Sequence, residues 1–479
     1  MSNRDPKKRK KPPAKNPYAF NRFVTEPVAF EPTDAYPLPP MATQSKDKND
    51  DNDKEENEEE DDNESDDLNY EPDSDDVPTL FDGELLENFF KDVTGVSLTK
   101  EGYEIAVSRL KEMKLVSKAL KGTASRSREQ QYSQYYDISA DGILYCTNIA
   151  ELISTSYGQY DPSHWRLNID KNIVSLKAFL VHNDNELPIV LIAYGRGLKE
   201  THEVISKFVE LIDYESHKWL IVCDLKMIAL LFGMQQGYVQ HMCVYCTWQS
   251  RTKDKDLLWS TNFALRTVDN VKVGENSIIR EPSISFAHID KIIPPPLHIR
   301  IGIMYAFLTA ILGPSKRQSP QMVTYLMAKF SKTEAKVKAG TFDGKQIKKL
   351  FSDNQFINFL EPNEKKAWKS FMTVSEDFLG NNRTDDYAAK VKQMISDFRA
   401  MGASLTVKLH LLHAHLDRFP SNCGQFSDEQ AERGHQQLLP YENRFKGDRG
   451  VSFAGEVFHG LKRSISEHQR KAIHKRNHR

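Results

Sequence analysis

The chain predicts an α/β protein, with a mixed β-sheet core interrupted by a large α-helical insertion. Three observations lead there. Between Trp165 and Tyr194, apolar residues recur with strand spacing in three short runs separated by turn residues. From Thr201 to Gln235 the spacing changes to helix, strand, helix. From Leu297 to about Met401 each periodic stretch is helical and none alternates.

Taken in order, Trp165 to Asp170 forms the first expected strand and Ser175 to His182 the second. The turn Asn183-Asp184-Asn185-Glu186 leads into a third, Leu187 to Tyr194. Thr201 caps a helix whose apolar face is Val204, Ile205, Phe208, Leu211 and Ile212. A buried strand, Leu220 to Val222, then ends on Asp224, and a helix from Lys226 to Gln235 follows. Three hairpin-linked strands, a helix, a strand and a helix is the order of a ribonuclease H-like core. There the helical crossover lays the fourth strand parallel to the first. Asp170 and Asp224 end those two strands, so both carboxylates are expected at one edge of the sheet. Two carboxylates in close approach repel unless a divalent cation lies between them, and Mg2+ or Mn2+ takes oxygen ligands of this kind. A single strand-end aspartate is usually only a cap, whereas a matched pair at these positions suggests a site.

The insertion reads as helices at Ile299 to Leu312, Met322 to Phe330, Glu334 to Lys338, Ile347 to Phe351, Glu364 to Phe378 and Tyr387 to Met401. The expected organisation is a disordered tail, basic then acidic, over 1–77; a helical N-terminal region over 78–160; and the first part of the core over 161–250. The insertion spans 251–404, and a His-rich half-site, an acidic helix and a basic tail occupy 405–479. Within 78–160, Leu85 to Lys121 suggests two amphipathic helices. The following basic stretch to Tyr136 holds Tyr132, Tyr135 and Tyr136, which reads as a solvated linker or as a strip that tracks nucleic acid and stacks on bases.

The net charge of −2 conceals an asymmetry: residues 46–76 carry 18 Asp and Glu against 3 Lys, a local −15 that leaves +13 on the remainder. The first fifteen residues hold seven basic groups and one acid, and Lys462 to Arg479 hold seven against Glu467. A basic body with basic ends fits a polyanion partner, which the acidic tract can mimic. The run KKRKKPPAK, Lys7 to Lys15, reads as a nuclear localisation signal, so the nucleus is the expected compartment. Neither a signal peptide nor an apolar run of ~18 residues is present, and no membrane partner is expected. Five cysteines, two of them three apart, do not make a disulfide framework.

Those two, Cys243 and Cys246, supply half of a tetrahedral zinc site. A redox role is disfavoured because the pair follows a helix rather than opening one. His410 and His415 are the expected remaining ligands, with His413 as the alternative; from Cys246 to His410 the clip spans the insertion. A third carboxylate is expected from Asp428, Glu429 or Glu432, at the start of the next helix.

As a set, these residues resemble the DDE transposases that carry a zinc-binding insertion: the Transib group, with the related vertebrate antigen-receptor recombinase, and the CACTA-Mirage-Chapaev group. The likeness is closest near the C-terminus. There the recombinase pattern of spaced histidines, Gly-x-aromatic, an acid pair and Glu-x-Gly matches His410, His415, Gly424-Gln425-Phe426, Asp428-Glu429 and Glu432-Arg433-Gly434. From about Pro162 to Gly447 the chain also resembles transposon-derived animal proteins, through CDLKMIALLFGMQQGY, PPPLHIRIGIM and SDEQAERGHQQ. The resemblance implies Glu432 as the third acid and His410 with His415 as zinc ligands. It implies Asp170, Asp224 and Glu432 holding two Mg2+ or Mn2+ ions for phosphodiester cleavage and strand transfer, structural zinc, DNA as partner and a homodimer as assembly. Around Asp170 the sequence RLNIDKNIVSLK has no counterpart in those families, so Asp170 is placed by topology alone. An alternative expectation is a catalytically inactive, domesticated DNA-binding scaffold that keeps the zinc site.

Overall fold

Asp224 shows how local chemistry sets the architecture. Its carboxylate accepts from the Met227 amide and caps helix α6 (Leu225–Leu231), which cuts the preceding strand β6 to Leu220–Ile221. β6 lies parallel to β3 (Trp165–Lys171), with Leu167 opposite Ile221. β3 pairs antiparallel with β4 (Ser175–His182), and β4 with β5 (Val190–Arg196). The meander and the parallel fourth strand expected from the sequence are therefore present. Two short strands, β1 (Tyr136–Ile138) and β2 (Leu144–Cys146), extend the sheet beyond β5, giving the order β1-β2-β5-β4-β3-β6. At the other edge Ile292 makes a parallel bridge to Ile221.

The computed structural model describes residues 98–462, apart from 117–119, 238, 313–318 and 447–448, together with Leu86, Phe89 and Phe90. The N-terminal tail with its basic run Lys7 to Lys15, the acidic tract and the basic residues beyond Lys462 lie outside the described residues.

Helix α1 (Lys100–Glu112) is capped by Thr99, and the Gly102 amide donates to its hydroxyl at 2.9 Å. The region 78–160, expected to be helical, also contains the short helix α2 (Gln130–Ser133), then β1, β2 and α3 (Ile149–Tyr157). Tyr132, Tyr135 and Tyr136 are all buried there, so neither a solvated linker nor a base-stacking strip describes them. The Tyr136 hydroxyl donates to the Leu191 carbonyl at 2.8 Å, and Tyr132 packs on Phe458. Their aromatic mass fills the core, which local sequence does not distinguish from an exposed stacking surface.

Helices cover both sides of the sheet. On one side α4 (His202–Leu211) brings Phe208 against Gly195, and a short turn of helix, α5 (Tyr214–His217), leads into β6. On the other side α15 (Glu429–Arg444) packs on β4, while α16 (Val451–Lys462) packs on β5 and β1. Gly434 permits that approach: a Cβ there would lie 2.6 Å from Ile189 Cδ1. Tyr441 belongs to α15, well inside its C-terminal half. α6 stops four residues short of the expected Gln235 because Gly233 turns at φ +64° against the Arg280 carbonyl, where a side chain has no room.

After one short helix, α7 (Lys255–Leu258), the described chain from Pro296 to Ala414 is helical and strand-free. It comprises α8 (Pro296–Leu312), α9 (Pro320–Phe330), α10 (Glu334–Lys338), α11 (Gly344–Phe351), α12 (Pro362–Asp377), α13 (Tyr387–Ala400) and α14 (Val407–Ala414). α8 is apolar all round and packs against α10, α11, α12 and α14. One contiguous apolar core runs from Tyr132 through sheet and helices to Leu461. Among the described residues no helix is long and apolar enough to cross a membrane.

Candidate metal centre

Cys243 and Cys246 lie in a knuckle that begins after the Gly233 turn. A neighbouring strip holds it in place: the Thr247 amide donates to the Ala264 carbonyl at 3.0 Å, and the Arg266 amide to the Tyr245 carbonyl at 2.8 Å. Facing it, α14 carries His410 within its length and His415 as its C-terminal cap. The four ligand atoms lie within 4.8 Å of one another and all four residues are buried.

Cys246 Sγ is 3.3 Å from His410 Nε2 and 3.3 Å from His415 Nε2, and Cys243 Sγ is 3.4 Å from His415 Nε2. A tetrahedral zinc ion with bonds of ~2.3 Å to sulfur and ~2.0 Å to nitrogen sets sulfur and nitrogen about 3.5 Å apart. The cradle therefore has the size and donor set for zinc. His413, the alternative ligand, lies outside it: its Nε2 is 2.9 Å from the Trp259 carbonyl oxygen.

Electrostatics favour metal binding. The hydrogen bond from Cys243 does most to lower the Cys246 thiol, and both histidines help. Burial pushes Cys243 up, so a metal that binds there must displace its proton. Burial also depresses His410, keeping its imidazole in the neutral, ligating form. Arg266, itself buried, donates from Nε to the Cys243 carbonyl at 3.0 Å and places its charge near both sulfurs. Among the described residues, His410 Nδ1 has no hydrogen-bond partner. Ring stacking on Trp248, with centroids 4.2 Å apart and planes 7° from parallel, orients it in place of the usual carboxylate or carbonyl.

The other expected site is only partly assembled. Asp170 and Asp224 stand at the same end of the neighbouring parallel strands β3 and β6. Asp170 Oδ2 is 2.9 Å from His435 Nε2, and its Oδ1 accepts from the Lys171 amide at 2.7 Å. Burial works to raise the Asp170 carboxyl, but hydrogen bonds from His435 and from the Lys171 amide help to outweigh it and leave it lowered. At the N-terminus of α15, Asp428 is the buried acid. It accepts from the Leu297 amide at 3.1 Å and pairs with His298 Nδ1. Glu432, one turn on, is solvent-exposed as a residue, yet its carboxyl is raised, first by partial desolvation and then by the charges of Asp428 and Asp170. Glu429 is a further acid acting on it. Lys408, reaching in from α14, feels both Asp428 and Asp224.

These carboxylates share one electrostatic neighbourhood, but among the described residues only the Cys2His2 group gathers its ligand atoms within 4.8 Å. Asp170, Asp224 and Glu432 are not gathered that closely. Sequence reading missed His298, His435 and Lys177. Lys177 carried a signal: a lysine within SLKAFLVH, a strand otherwise buried on both faces, calls for a partner from elsewhere in the chain.

Residues 124–284 match a family model described as a domain of unknown function (DUF8703), and residues 296–380 match a second such domain (DUF8704). The first ends after the cysteine knuckle and the second begins with α8, so neither spans His410, His415 or α15. No curated protein matches the chain.

Proposed function

We propose that the chain is a transposon-derived DDE-type nuclease and strand transferase on a ribonuclease H-like core, acting on DNA in the nucleus. The observation that supports this reading most is the matched pair Asp170 and Asp224 at the ends of adjacent parallel strands, with the acidic start of α15 in their electrostatic reach. Glu432 is the proposed third acid, and zinc at Cys243, Cys246, His410 and His415 is structural. The second reading, a DNA-binding scaffold without catalysis, draws on the pairing of Asp170 with His435 and of Asp428 with His298.

Incubating the full chain with labelled duplex ends and Mn2+ tests the first reading. Wild type nicks the DNA and Asp224→Asn does not; equal nicking by both would sink the assignment. Asn is the right substitution, because it still caps α6 through Met227 and so separates lost chemistry from lost structure.

A further inference from the structure

Under α15, the sheet carries a line of polar side chains leading away from Asp170. The strand registers place Asp170 opposite Lys177, and Lys177 opposite Tyr194. Opposite charges facing each other across strands ordinarily bind directly. Here the Lys177 ammonium lies 3.1 Å from Glu442 Oε1, and that oxygen also accepts from Ser175 at 2.9 Å and Tyr194 at 3.1 Å. His435 stands between the two facing residues, with Nδ1 3.1 Å from Lys177 Nζ and Nε2 2.9 Å from Asp170 Oδ2. His435 and Glu442 are seven residues apart on α15, two turns along one face, so a single helix supplies both ends of the bridge. The His435 ring also packs edge-on against Phe179, two residues beyond Lys177 on the same strand face.

The chemistry of the donors fixes the ring. An ammonium has three hydrogens and no acceptor, so His435 Nδ1 must accept from Lys177, and the ring hydrogen then sits on Nε2, aimed at Asp170. The Lys177 side chain is 0 % exposed and that of Glu442 3 %. A buried ion pair of this kind is seldom more stabilising than apolar residues of equal volume, so orientation is the better account of why the fold holds one.

We propose that His435 is a positioning residue, its Nε2–H tautomer locked by the Lys177–Glu442 pair so that it sets the orientation of the Asp170 carboxylate at the sheet edge. The inference rests on the reading of Asp170 as a working carboxylate.

Side-chain 15N NMR of the metal-free full chain tests the lock without reference to activity. His435 shows a neutral ring protonated at Nε2, and in Lys177→Met the preference relaxes toward a mixture. A wild-type ring protonated at Nδ1 overturns the proposal, whether or not the variant folds. In the nicking assay His435→Ala loses about 10–100-fold, the range for residues that orient working ligands. His435→Gln recovers part of that loss, because its amide still donates to Asp170. Full activity in His435→Ala, with wild type active, overturns the positioning role. An inactive wild type removes the nuclease reading and leaves the tautomer measurement to decide the lock.

Discussion

Lys177 and Gly434 show what single residues contribute to bringing α15 onto the sheet. Lys177 presents a buried charge that the helix pairs through Glu442, and Gly434 supplies the space for the backbone to come close enough to do so. Removing one partner strands the other, so Glu442→Gln is expected to cost about 3–5 kcal/mol in urea unfolding. Combining it with Lys177→Met should recover part of that loss, because no unpaired ammonium remains buried. Gly434→Ala forces a methyl toward Ile189 and Phe179 and should cost about 1–3 kcal/mol by the same measurement. These roles were only half legible in the sequence. A lysine in an apolar strand advertises a missing partner, but its identity depends on a helix more than 250 residues away.

Among the elements, strands and helices with one strong period were readable, and those decided by tertiary contacts were not. Ser175–His182 and Glu334–Lys338 agree with the sequence reading to the residue because a short apolar run or helical spacing is bounded there by turn residues. β1 and β2 are three residues each and exist because β5 offers an edge to pair with, so no local pattern announces them. The joint between α8 and α15 was likewise invisible: His298 and Asp428 are 130 residues apart and meet at the starts of their helices. For His298, burial pulls the imidazole down, but the Asp428 hydrogen bond and charge prevail and raise it. A folded-state pKa raised above the unfolded ~6.5 gives stability that is fully present below that value and lost as pH rises through the folded one. The stability advantage of wild type over His298→Gln should therefore be largest near pH 5.5 and shrink above neutrality. With His298 about one-third exposed, its size should be on the order of 1 kcal/mol, read from urea midpoints across the pH series.

For the molecule as a whole, the Cys2His2 cluster is the feature that long-range spacing made legible and geometry then specified. Two cysteines three apart and histidines 164 positions later told of a closed loop with His410 and His415 as the expected ligands, and the packed structure gathers those two and leaves His413 outside. The described part of that loop holds the helices from α7 to α13, and its two ends meet at the cluster against Tyr245 and Trp248. Because the same apolar core also joins sheet and helices, zinc held there would not be the sole link between them. Removing it should loosen the cysteine knuckle and α14 without unfolding the sheet outright. The purified chain is expected to carry one zinc per molecule by elemental analysis, and Cys243→Ser to carry none. Chelation should lower the midpoint of thermal unfolding, and hydrogen exchange should rise at residues 239–250 and 405–418 while β3 to β5 stay protected. Uniform loss of protection across the sheet would instead make the metal part of the global fold. Unchanged exchange at the knuckle would show that the four residues pack as a metal-free core. The convergence of two thiols and two imidazole nitrogens, all buried, argues against that outcome, since a core built for packing alone has no use for four converging polar ligand atoms.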